Sequence, residues 1–253
     1  MGNSRQHHRT VDRVAAILEA VANSASGLTL TQLAARLDAP VSSVQKLVNG
    51  LAAVGYLDEE DRRFVLGPAP HVLTVRSGRV PVRSVPHASL AALASASGCA
   101  ALLAVQVGDS AVYVDWAGTD EPFDYALSRT LRSALPRTAA GRVLLASLPE
   151  ASRRVAVAHE FGPDTRAAVD LLTTLSTIRT EGYALVDSGH VLETMAAVAV
   201  PVVESDRVVA ALALSAPSGV VTGRLSELVA LLRKSASSRA AMGSTSPDRA
   251  SGR

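Results

Sequence analysis

The stretch LTLTQLAARLDAPVSSVQKLVNGLAAVGYLDEEDRRFVL, residues 28–66, decides the fold of the first part of this chain. Thr29 followed by Gln32 has the pattern of a capping box, which marks the start of a helix. Apolar residues then recur at helical spacing as far as Leu37. The sequence DAP at residues 38–40 interrupts this pattern, so we expect a short helix followed by a sharp turn.

The second half of the stretch predicts another helix and then a hairpin. A third apolar stripe covers residues 44–51, and Gly55 ends it. Two short apolar segments next flank a polar centre at residues 58–63, which indicates a β-hairpin. An earlier apolar stripe predicts a first helix with one apolar face. Its members are Val11, Val14, Ala15, Leu18, Val21 and Ala22. Three helices and a two-stranded wing within residues 1–67 predict a winged helix-turn-helix DNA-binding domain.

Polar side chains cover one face of the helix predicted after Pro40, and we expect them to contact DNA. Gln45 and Asn49 can bond bidentately to adenine edges, whereas serine and lysine side chains are better suited to phosphates. No acidic residue lies between Pro40 and Gly55, as expected of a helix that meets a polyanion. The predicted contacts on this helix are Ser42, Ser43, Gln45, Lys46 and Asn49.

The hairpin and the N-terminal arm add further candidate contacts. Arg62 and Arg63 are expected to face DNA, while the acidic residues that precede them face away. Arg5, Arg9 and Arg13 are candidates for backbone or minor-groove contacts. The alternative is an ordinary helical domain whose polar residues are only solvated. The ordered set of three stripes, turn and hairpin favours DNA binding.

The remainder of the chain has a different pattern. Residues 68–80 predict a linker helix. Beyond it, β-rich pairs at residues 101–116 and 197–214 alternate with helical stripes, which predicts an α/β effector-binding domain over residues 81–241. The last residues, 242–253, are rich in Ser, Ala and Gly and are expected to form a disordered tail.

Bulk composition narrows the class of protein. The 253 residues are 48% hydrophobic, which is enough for two modest domains, and the formal net charge of +2 argues neither for nor against nucleic acid. Cys99 is the single cysteine, which excludes an intramolecular disulfide and a cysteine cluster for zinc. The N-terminus lacks an apolar signal core, and no apolar run reaches membrane-spanning length. We therefore expect a cytoplasmic protein that has no cofactor and no membrane partner.

Several short segments spread along the chain form a recognisable set. They read PVSSVQKL (residues 40–47), GYL (55–57), TAAGRVLLA (138–146), IRTEGYA (178–184), VAVPV (198–202) and VVAALALSAP (208–217). In this order and spacing they resemble the IclR family of bacterial transcriptional regulators. The resemblance covers nearly the whole chain, and the motifs are jointly fairly specific.

This resemblance implies a GAF-like effector-binding domain, a homodimer or homotetramer, and double-stranded operator DNA as partner. It also implies regulation, commonly repression, of catabolic or metabolic genes. Carried over by position, the site for a small-molecule effector involves Ala139, Ala140, Asp187, Ala197, Ala213 and Ser215. Alanines at 197 and 213 stand where the family often has Cys and a second Ser, so we expect a more apolar pocket. Val41 and Lys46 replace the family's usual Lys and Arg, and Asp38 replaces its usual Gly before the third helix.

Two other groups of residues have competing interpretations. Asp187, His190 and Glu193 are spaced by three and could hold a metal on a helix, although the Ser-Gly pair at 188–189 favours a solvated loop. Three arginines between residues 132 and 142 could pair with an anionic effector, or they could be solvated or face another subunit.

Catalytic motifs are missing from the sequence. It has neither a Gly-x-Ser-x-Gly elbow nor a glycine-rich phosphate loop. Cys99 is expected to be a small packed residue. Tyr113 and Trp116 could wall a pocket or an interface, but core packing is the favoured expectation. A small-molecule enzyme and a protein-interaction adaptor remain alternatives. We predict a DNA-binding transcriptional regulator that is not an enzyme.

Overall fold

The computed structural model describes residues 8–78, 82–118, 132–163, 165–187 and 195–237. The chain divides into two compact units, residues 1–80 and residues 81–253. Some predicted features lie outside the described ranges: Arg5, His190, Glu193 and the tail at 242–253. Within those ranges, no helix is both long enough and apolar enough to cross a bilayer.

The described part of the first unit contains four helices and one hairpin. Their bounds are Arg9–Ala22 (α1), Leu30–Arg36 (α2), Val41–Ala53 (α3), Leu57–Glu60 (β1), Arg63–Leu66 (β2) and Ala69–Ser77 (α4). The capping box that begins α2 is confirmed: the Thr29 N–H donates to Gln32 Oε1 at 2.9 Å, and the Gln32 N–H donates to the Thr29 hydroxyl at 3.3 Å. Asp38 has a φ of 45°, the left-handed turn conformation that aspartate tolerates.

One apolar core joins α1, α2 and α3 to the hairpin. Its buried members are Ile17, Val21, Leu28, Leu33, Ala34, Val44, Val48, Leu51, Leu57 and Phe64. The first helix forms as predicted, and its core-facing side overlaps the predicted one only in part: Val21 is buried, and Val14 and Leu18 pack against the core. Ile17 is fully buried, whereas Val11 is 63% exposed. Contacts of α1 with α2 and β2 decide this rotation, and helical periodicity alone does not specify it.

α4 has no buried residue in the first unit. Three of its apolar side chains, Val72, Leu73 and Val75, are between 46% and 63% exposed. The helix ends at Gly78, which adopts the left-handed conformation typical of a helix C-terminus. α4 therefore lacks the apolar burial that normally stabilises a short helix within a domain.

The described part of the second unit is a mixed α/β domain. Its elements are His87–Ser97 (α5), Ala100–Val107 (β3), Ser110–Ala117 (β4), Arg132–Ala134 (β5), Ala139–Ser147 (α6), Glu150–Phe161 (α7), Arg166–Glu181 (α8), Ala184–Val186 (β6), Met195–Glu204 (β7), Arg207–Pro217 (β8), Ser218–Gly223 (α9) and Leu225–Ser237 (α10). Both predicted strand pairs form, as the hairpins β3–β4 and β7–β8. α7 was not predicted from the sequence.

These strands form one antiparallel sheet in the order β5-β4-β3-β8-β7-β6. Helices cover both of its faces. Leu212 and Leu214 of β8 face the cluster that contains α5 and α10, and the alternate residue Ala213 faces the cluster that contains α6, α7 and α8. This helix–sheet–helix layering agrees with the predicted α/β effector-binding fold.

The face of the sheet toward α6 carries mostly small side chains. Ala104, Ala199 and Ala211 are fully buried there. Gly141 in α6 lies directly against the backbone of Leu135, because a Cβ atom at this position would be 2.3 Å from the Leu135 carbonyl oxygen. Small residues on both sides therefore allow α6 to pack tightly against the sheet and the preceding turn.

Candidate DNA interface and effector site

α3 presents its predicted contact residues on the surface of the first unit. Val44, Val48 and Leu51 are buried and fix α3 against α2 and β1. The other side of the helix is polar and accessible: Ser42, Lys46 and Asn49 are exposed, and Ser43 and Gln45 are half-buried. The described geometry therefore allows this side to enter a groove of DNA.

Two of these side chains form a pair. The Gln45 Nε2 atom donates a hydrogen bond of 2.7 Å to the Asn49 Oδ1 atom across one helical turn. This bond uses neither the Gln45 carbonyl oxygen nor the Asn49 amide nitrogen, and an acceptor beside a donor is the complement of an adenine edge. The sequence predicted two separate base-reading residues, whereas the structure holds them as one unit.

The two wing arginines differ in their surroundings. Asp61 and Arg62 form the tight turn of the hairpin, with φ values of 48° and 60°, and Arg62 is exposed at its tip. Arg63 is half-buried, and its Nη1 atom donates to the Gly27 carbonyl oxygen at 3.3 Å. Arg62 is therefore free to reach a phosphate, whereas Arg63 already supports the loop before α2. Direct DNA contact by either residue stays a prediction.

Arg9 and Arg13 belong to α1 and not to an extended arm. Together with Arg36 of α2 and with Asp12, they line a surface concavity of about 650 Å³. The Arg36 Nη1 atom donates to the Ala20 carbonyl oxygen at 3.4 Å. The first unit thus carries a second cationic area outside α3, formed by α1 and α2.

Four of the predicted effector residues lie in or beside one apolar cluster of the second unit. Ala139, Ala140 and Ala213 are buried in one apolar cluster, and Ala197 packs against it. Ala197 lies directly opposite Ser215 in the β7–β8 pairing. Ala139 and Ala140 begin α6, which packs against β7 and β8. The role of these residues in ligand binding is untested and stays a prediction.

The two polar members of this group are already hydrogen-bonded. The Ser215 hydroxyl donates to the Ala196 carbonyl oxygen at 3.1 Å, which leaves its oxygen lone pairs as acceptors. Asp187 is exposed just beyond β6, and its Oδ1 atom accepts a hydrogen bond from the Ser218 hydroxyl. Asp187 therefore lies at the margin of the apolar cluster.

Tyr113, for which the sequence favoured core packing over a place in a pocket wall, is a neighbour of this site. It is buried as expected, in the same cluster as Ala139 and Ala140. Burial raises the pKa of its hydroxyl, and a hydrogen bond with the Thr138 side chain partly opposes that shift. Thr138 also caps α6 by accepting from the Gly141 N–H at 3.0 Å. A polar pair therefore borders the apolar site. The sequence signal was the alternation in β4 that turns residue 113 inward.

The arginine cluster has structural partners. Arg137 pairs with Glu160 of α7. The Arg142 Nε atom donates to the Pro136 carbonyl oxygen at 2.8 Å, and burial lowers the pKa of this guanidinium. Arg132 is exposed. These contacts stabilise the turn before α6 and give Arg137 and Arg142 a role that needs no anionic ligand.

The metal and nucleophile interpretations receive no structural support. Of the proposed metal trio only Asp187 is described, and the described ranges contain no cluster of three or more candidate metal ligands. Cys99 is buried, and burial raises the pKa of its thiol, which keeps it protonated. It is a packed residue, as expected.

These features define a class of protein: a DNA-binding regulator in which a winged helix-turn-helix precedes an α/β domain. The family model described as "Bacterial transcriptional regulator IclR C-terminal" matches residues 76–240, and the one described as "IclR helix-turn-helix domain" matches residues 10–61. The chain belongs to the IclR family of bacterial transcriptional regulators, which confirms the resemblance noted in the sequence.

Characterised relatives have the same general function. The chain is 30% identical over 222 residues to the HTH-type transcriptional regulator BhcR of Paracoccus denitrificans, covering 83% of this chain and 78% of that protein. It is 27% identical over 220 residues to the Pca regulon regulatory protein of Pseudomonas putida, covering 82% and 74%. The chain is thus an HTH-type transcriptional regulator.

Solved structures share its fold. The IclR transcriptional regulator from Alicyclobacillus acidocaldarius has a TM-score of 0.68 at 23% identity, over 92% of this chain and 98% of the other. An IclR homolog from Microbacterium hydrocarbonoxydans, solved with 4-hydroxybenzoate, has a TM-score of 0.68 at 20% identity, over 90% and 95%. The predicted fold class is confirmed.

Proposed function

We propose that this chain acts as a repressor that binds operator DNA through α3 and the wing, and that a small-molecule effector in the second unit modulates this binding. The observation that carries the DNA assignment is the accessible face of α3, which is polar and free of acidic residues. Apolar side chains anchor the opposite face, so the helix is held rigidly for docking in the major groove. Because its ligand is chromosomal DNA, the protein acts in the cytoplasm.

The contacts divide into two kinds. Ser42, Ser43, Lys46 and Arg62 are assigned to phosphates, which position the protein without reading the sequence. The Gln45–Asn49 pair is assigned to a base edge, because the acceptor and donor that its mutual hydrogen bond leaves unused match adenine. Arg63 is assigned a supporting contact at the edge of the wing, since its guanidinium also holds the Gly27 carbonyl.

The working form is a homodimer, or a homotetramer made of two such dimers. The exposed apolar side chains of α4, Val72, Leu73 and Val75, support pairing of this helix with its copy in a second chain. A two-fold dimer presents two copies of α3, which matches an operator with two half-sites.

The effector site is assigned to six residues of the second unit: Ala139, Ala140, Asp187, Ala197, Ala213 and Ser215. The structure of the Microbacterium hydrocarbonoxydans homolog with 4-hydroxybenzoate supports a small organic ligand in this family. The role is regulatory and not catalytic. A ligand changes operator affinity only if it binds the DNA-competent and incompetent states differently, and a coupling of about 1–3 kcal/mol is ordinary.

Replacing Lys46 by alanine tests the orientation of α3. The chain has only two lysines, Lys46 and Lys234, and the second is exposed on α10 in the other unit. Lys234→Ala is therefore a matched control for loss of one lysine charge. Affinity for an operator fragment and for unrelated DNA is measured by fluorescence anisotropy over a range of salt concentrations.

We expect Lys46→Ala to weaken binding to all sequences about equally. The slope of log affinity against log salt should fall by about 0.9 for each phosphate that the lysine no longer neutralises. Lys234→Ala should bind like the parent protein. Unchanged affinity of Lys46→Ala at moderate salt would show that α3 is oriented differently. A shallow salt dependence of the parent protein would favour the adaptor alternative.

A further inference from the structure

A second concave site lies in the second unit, away from the assigned effector residues. It has a volume of about 660 Å³ and lies between the C-terminal ends of α6 and α8 and the β7–β8 hairpin. Its lining is mixed: polar groups such as Gln106 and Ser147 stand beside the apolar side chains of Val143 and Leu144 from α6, Ile178 from α8, and Pro201 and Val208 from the hairpin. This volume is in the range of clefts that bind small organic molecules.

Two arginines line the same cleft and give it a positive charge. Arg179 is in the last turn of α8 and Arg207 is the first residue of β8, and both are exposed. Among the residues that the structure describes, neither has a hydrogen-bond or ion-pair partner. Of the described residues that line the cleft, only Asp206, in the hairpin turn, is acidic, so the local charge is net positive.

Arg179 and Arg207 do not bond the carbonyl oxygens at the nearby helix ends, because other arginines already donate to those oxygens. Arg153 Nη1 donates to the carbonyl oxygens of Ala146 and Leu148, beyond the end of α6. Arg233 Nη2 donates to the Glu181 carbonyl oxygen at the end of α8. Arg179 and Arg207 are therefore available to an external acceptor, and a carboxylate is an acceptor that a guanidinium binds through two parallel hydrogen bonds.

The cleft is separate from the assigned effector site. α6 spans nine residues, Ala139–Ser147, and rises about 1.5 Å per residue. Ala139 and Ala140 are at its N-terminal end, whereas Ser147 lines the cleft at the other end. On β7, Ala197 and Pro201 are four residues apart, which corresponds to roughly 13 Å along a strand.

From this geometry we infer that the cleft is a second ligand site, which binds a small organic carboxylate with an apolar body. The apolar body packs between α6, α8 and the hairpin, and the carboxylate pairs with Arg179 and Arg207. The proposal does not depend on operator binding or on the assigned effector site.

The hairpin that lines the cleft also contacts the segment with which the second unit begins. The β7–β8 hairpin also carries Glu204, whose Oε1 atom accepts hydrogen bonds of 2.8 Å from the N–H groups of Arg83 and Ser84. These residues follow the first unit directly in the chain, since residue 81 begins the second unit. A ligand bound at Asp206 and Arg207 therefore contacts the hairpin whose Glu204 also holds residues 83 and 84.

Benzoate is a suitable probe, with benzamide as its uncharged counterpart. Isothermal titration calorimetry on the full chain measures the affinity of both compounds for the parent protein, for Arg179→Gln/Arg207→Gln, and for Arg166→Gln. Arg166 is on the same helix, at its exposed N-terminal end, so Arg166→Gln is a control for loss of one arginine from α8. Amide chemical shifts locate the bound benzoate, and the melting temperature checks that each variant is folded.

We expect benzoate to bind the parent protein weakly and to shift the amides of residues 143–148 and 206–209. The double variant should bind benzoate about tenfold more weakly, since it loses charge-assisted hydrogen bonds, and Arg166→Gln should match the parent protein. Benzamide should bind the parent protein more weakly than benzoate does. Absence of benzoate binding, equal affinity for the folded double variant, or amide shifts confined to residues 139–140, 187, 197 and 213–215 would overturn the proposal.

Discussion

Replacing Glu204 by alanine should loosen the segment through which the chain enters the second unit. The Glu204 Oε1 atom accepts three hydrogen bonds, each 2.8 Å long, from the Arg83 N–H, the Ser84 N–H and the Ser84 hydroxyl. Val82 and Val85 on either side are buried and keep the segment against the sheet. Glu204 therefore binds the polar groups of residues 83 and 84, while the flanking valines attach the same segment through apolar contacts.

The magnitude follows from these bonds. A hydrogen bond to a charged group contributes about 1.5–3 kcal/mol when it is shielded from water. The Glu204 side chain is only partly buried and one oxygen is shared by three donors, so we take about 2 kcal/mol for the whole set. This value corresponds to roughly a thirtyfold increase in local opening in the alanine variant. Glu204→Gln, which keeps an acceptor but loses the charge, should have a smaller effect.

The effect should also depend on pH. Burial by itself raises the pKa of Glu204, but the hydrogen bonds from Ser84 and Arg83 outweigh it, so the net pKa is below the usual 4.5. A carboxyl group whose pKa is lower in the folded state stabilises that state above its unfolded pKa. This stabilisation is lost as the pH falls through the folded-state pKa. Parent and variant should thus differ at neutral pH and converge in acid.

Hydrogen exchange at the amides of Arg83 and Ser84 measures this opening directly. Glu150→Ala is the matched control, because Glu150 is an exposed acid whose ion pair with Arg154, at 2.9 Å, lies on α7. Exchange at residues 83–84 should accelerate in Glu204→Ala and remain unchanged in Glu150→Ala. Equal exchange rates in all three proteins at neutral pH would refute the reasoning.

Three further predictions concern the packing of α6, the DNA interface on α3 and the assigned effector site. Gly141→Ala should destabilise the second unit by about 2–3 kcal/mol in urea unfolding, because its Cβ atom would meet the backbone of Leu135 at 2.3 Å. Gly219→Ala, whose Cβ atom would meet no described atom within 4 Å, is its control, and equal stability of the two variants would contradict the close approach. Gln45→Ala should relax base preference at one operator position by about tenfold in binding-site selection, and an unaltered preference would remove it from base reading. Asp187→Ala should change the effector-induced shift in operator affinity while leaving ligand-free DNA binding intact. Loss of DNA binding would instead give Asp187 a structural role.

The elements of the first unit were predictable because their signals are local. The Thr29–Gln32 capping box, the turn at Asp38 and the polar centre of the wing each act within a few residues. The buried face of α1 was less predictable. Val11 and Ile17 are both apolar and at positions that a rotation of the helix exchanges, so only contacts with α2 and β2 decide which one is buried.

In the candidate DNA interface, sequence alone located the helix and its polar face. It did not reveal that Gln45 donates to Asn49, or that the Arg63 guanidinium bonds the Gly27 carbonyl. Such pairings depend on side-chain directions and on loops that approach from elsewhere in the fold. They determine which polar groups remain available to DNA.

By itself, the sequence determined the helix-turn-helix with its wing, the two main strand pairs of the second unit and the family, because periodicity, caps and turns are encoded over short distances. The tertiary structure alone decided which residues meet across the second unit. Glu204 and Ser84 are 120 positions apart, and the cleft beside Arg179 and Arg207 exists only once helix ends and hairpin converge. Contacts of this kind arise from packing of the whole domain against its sheet, and no local pattern specifies them.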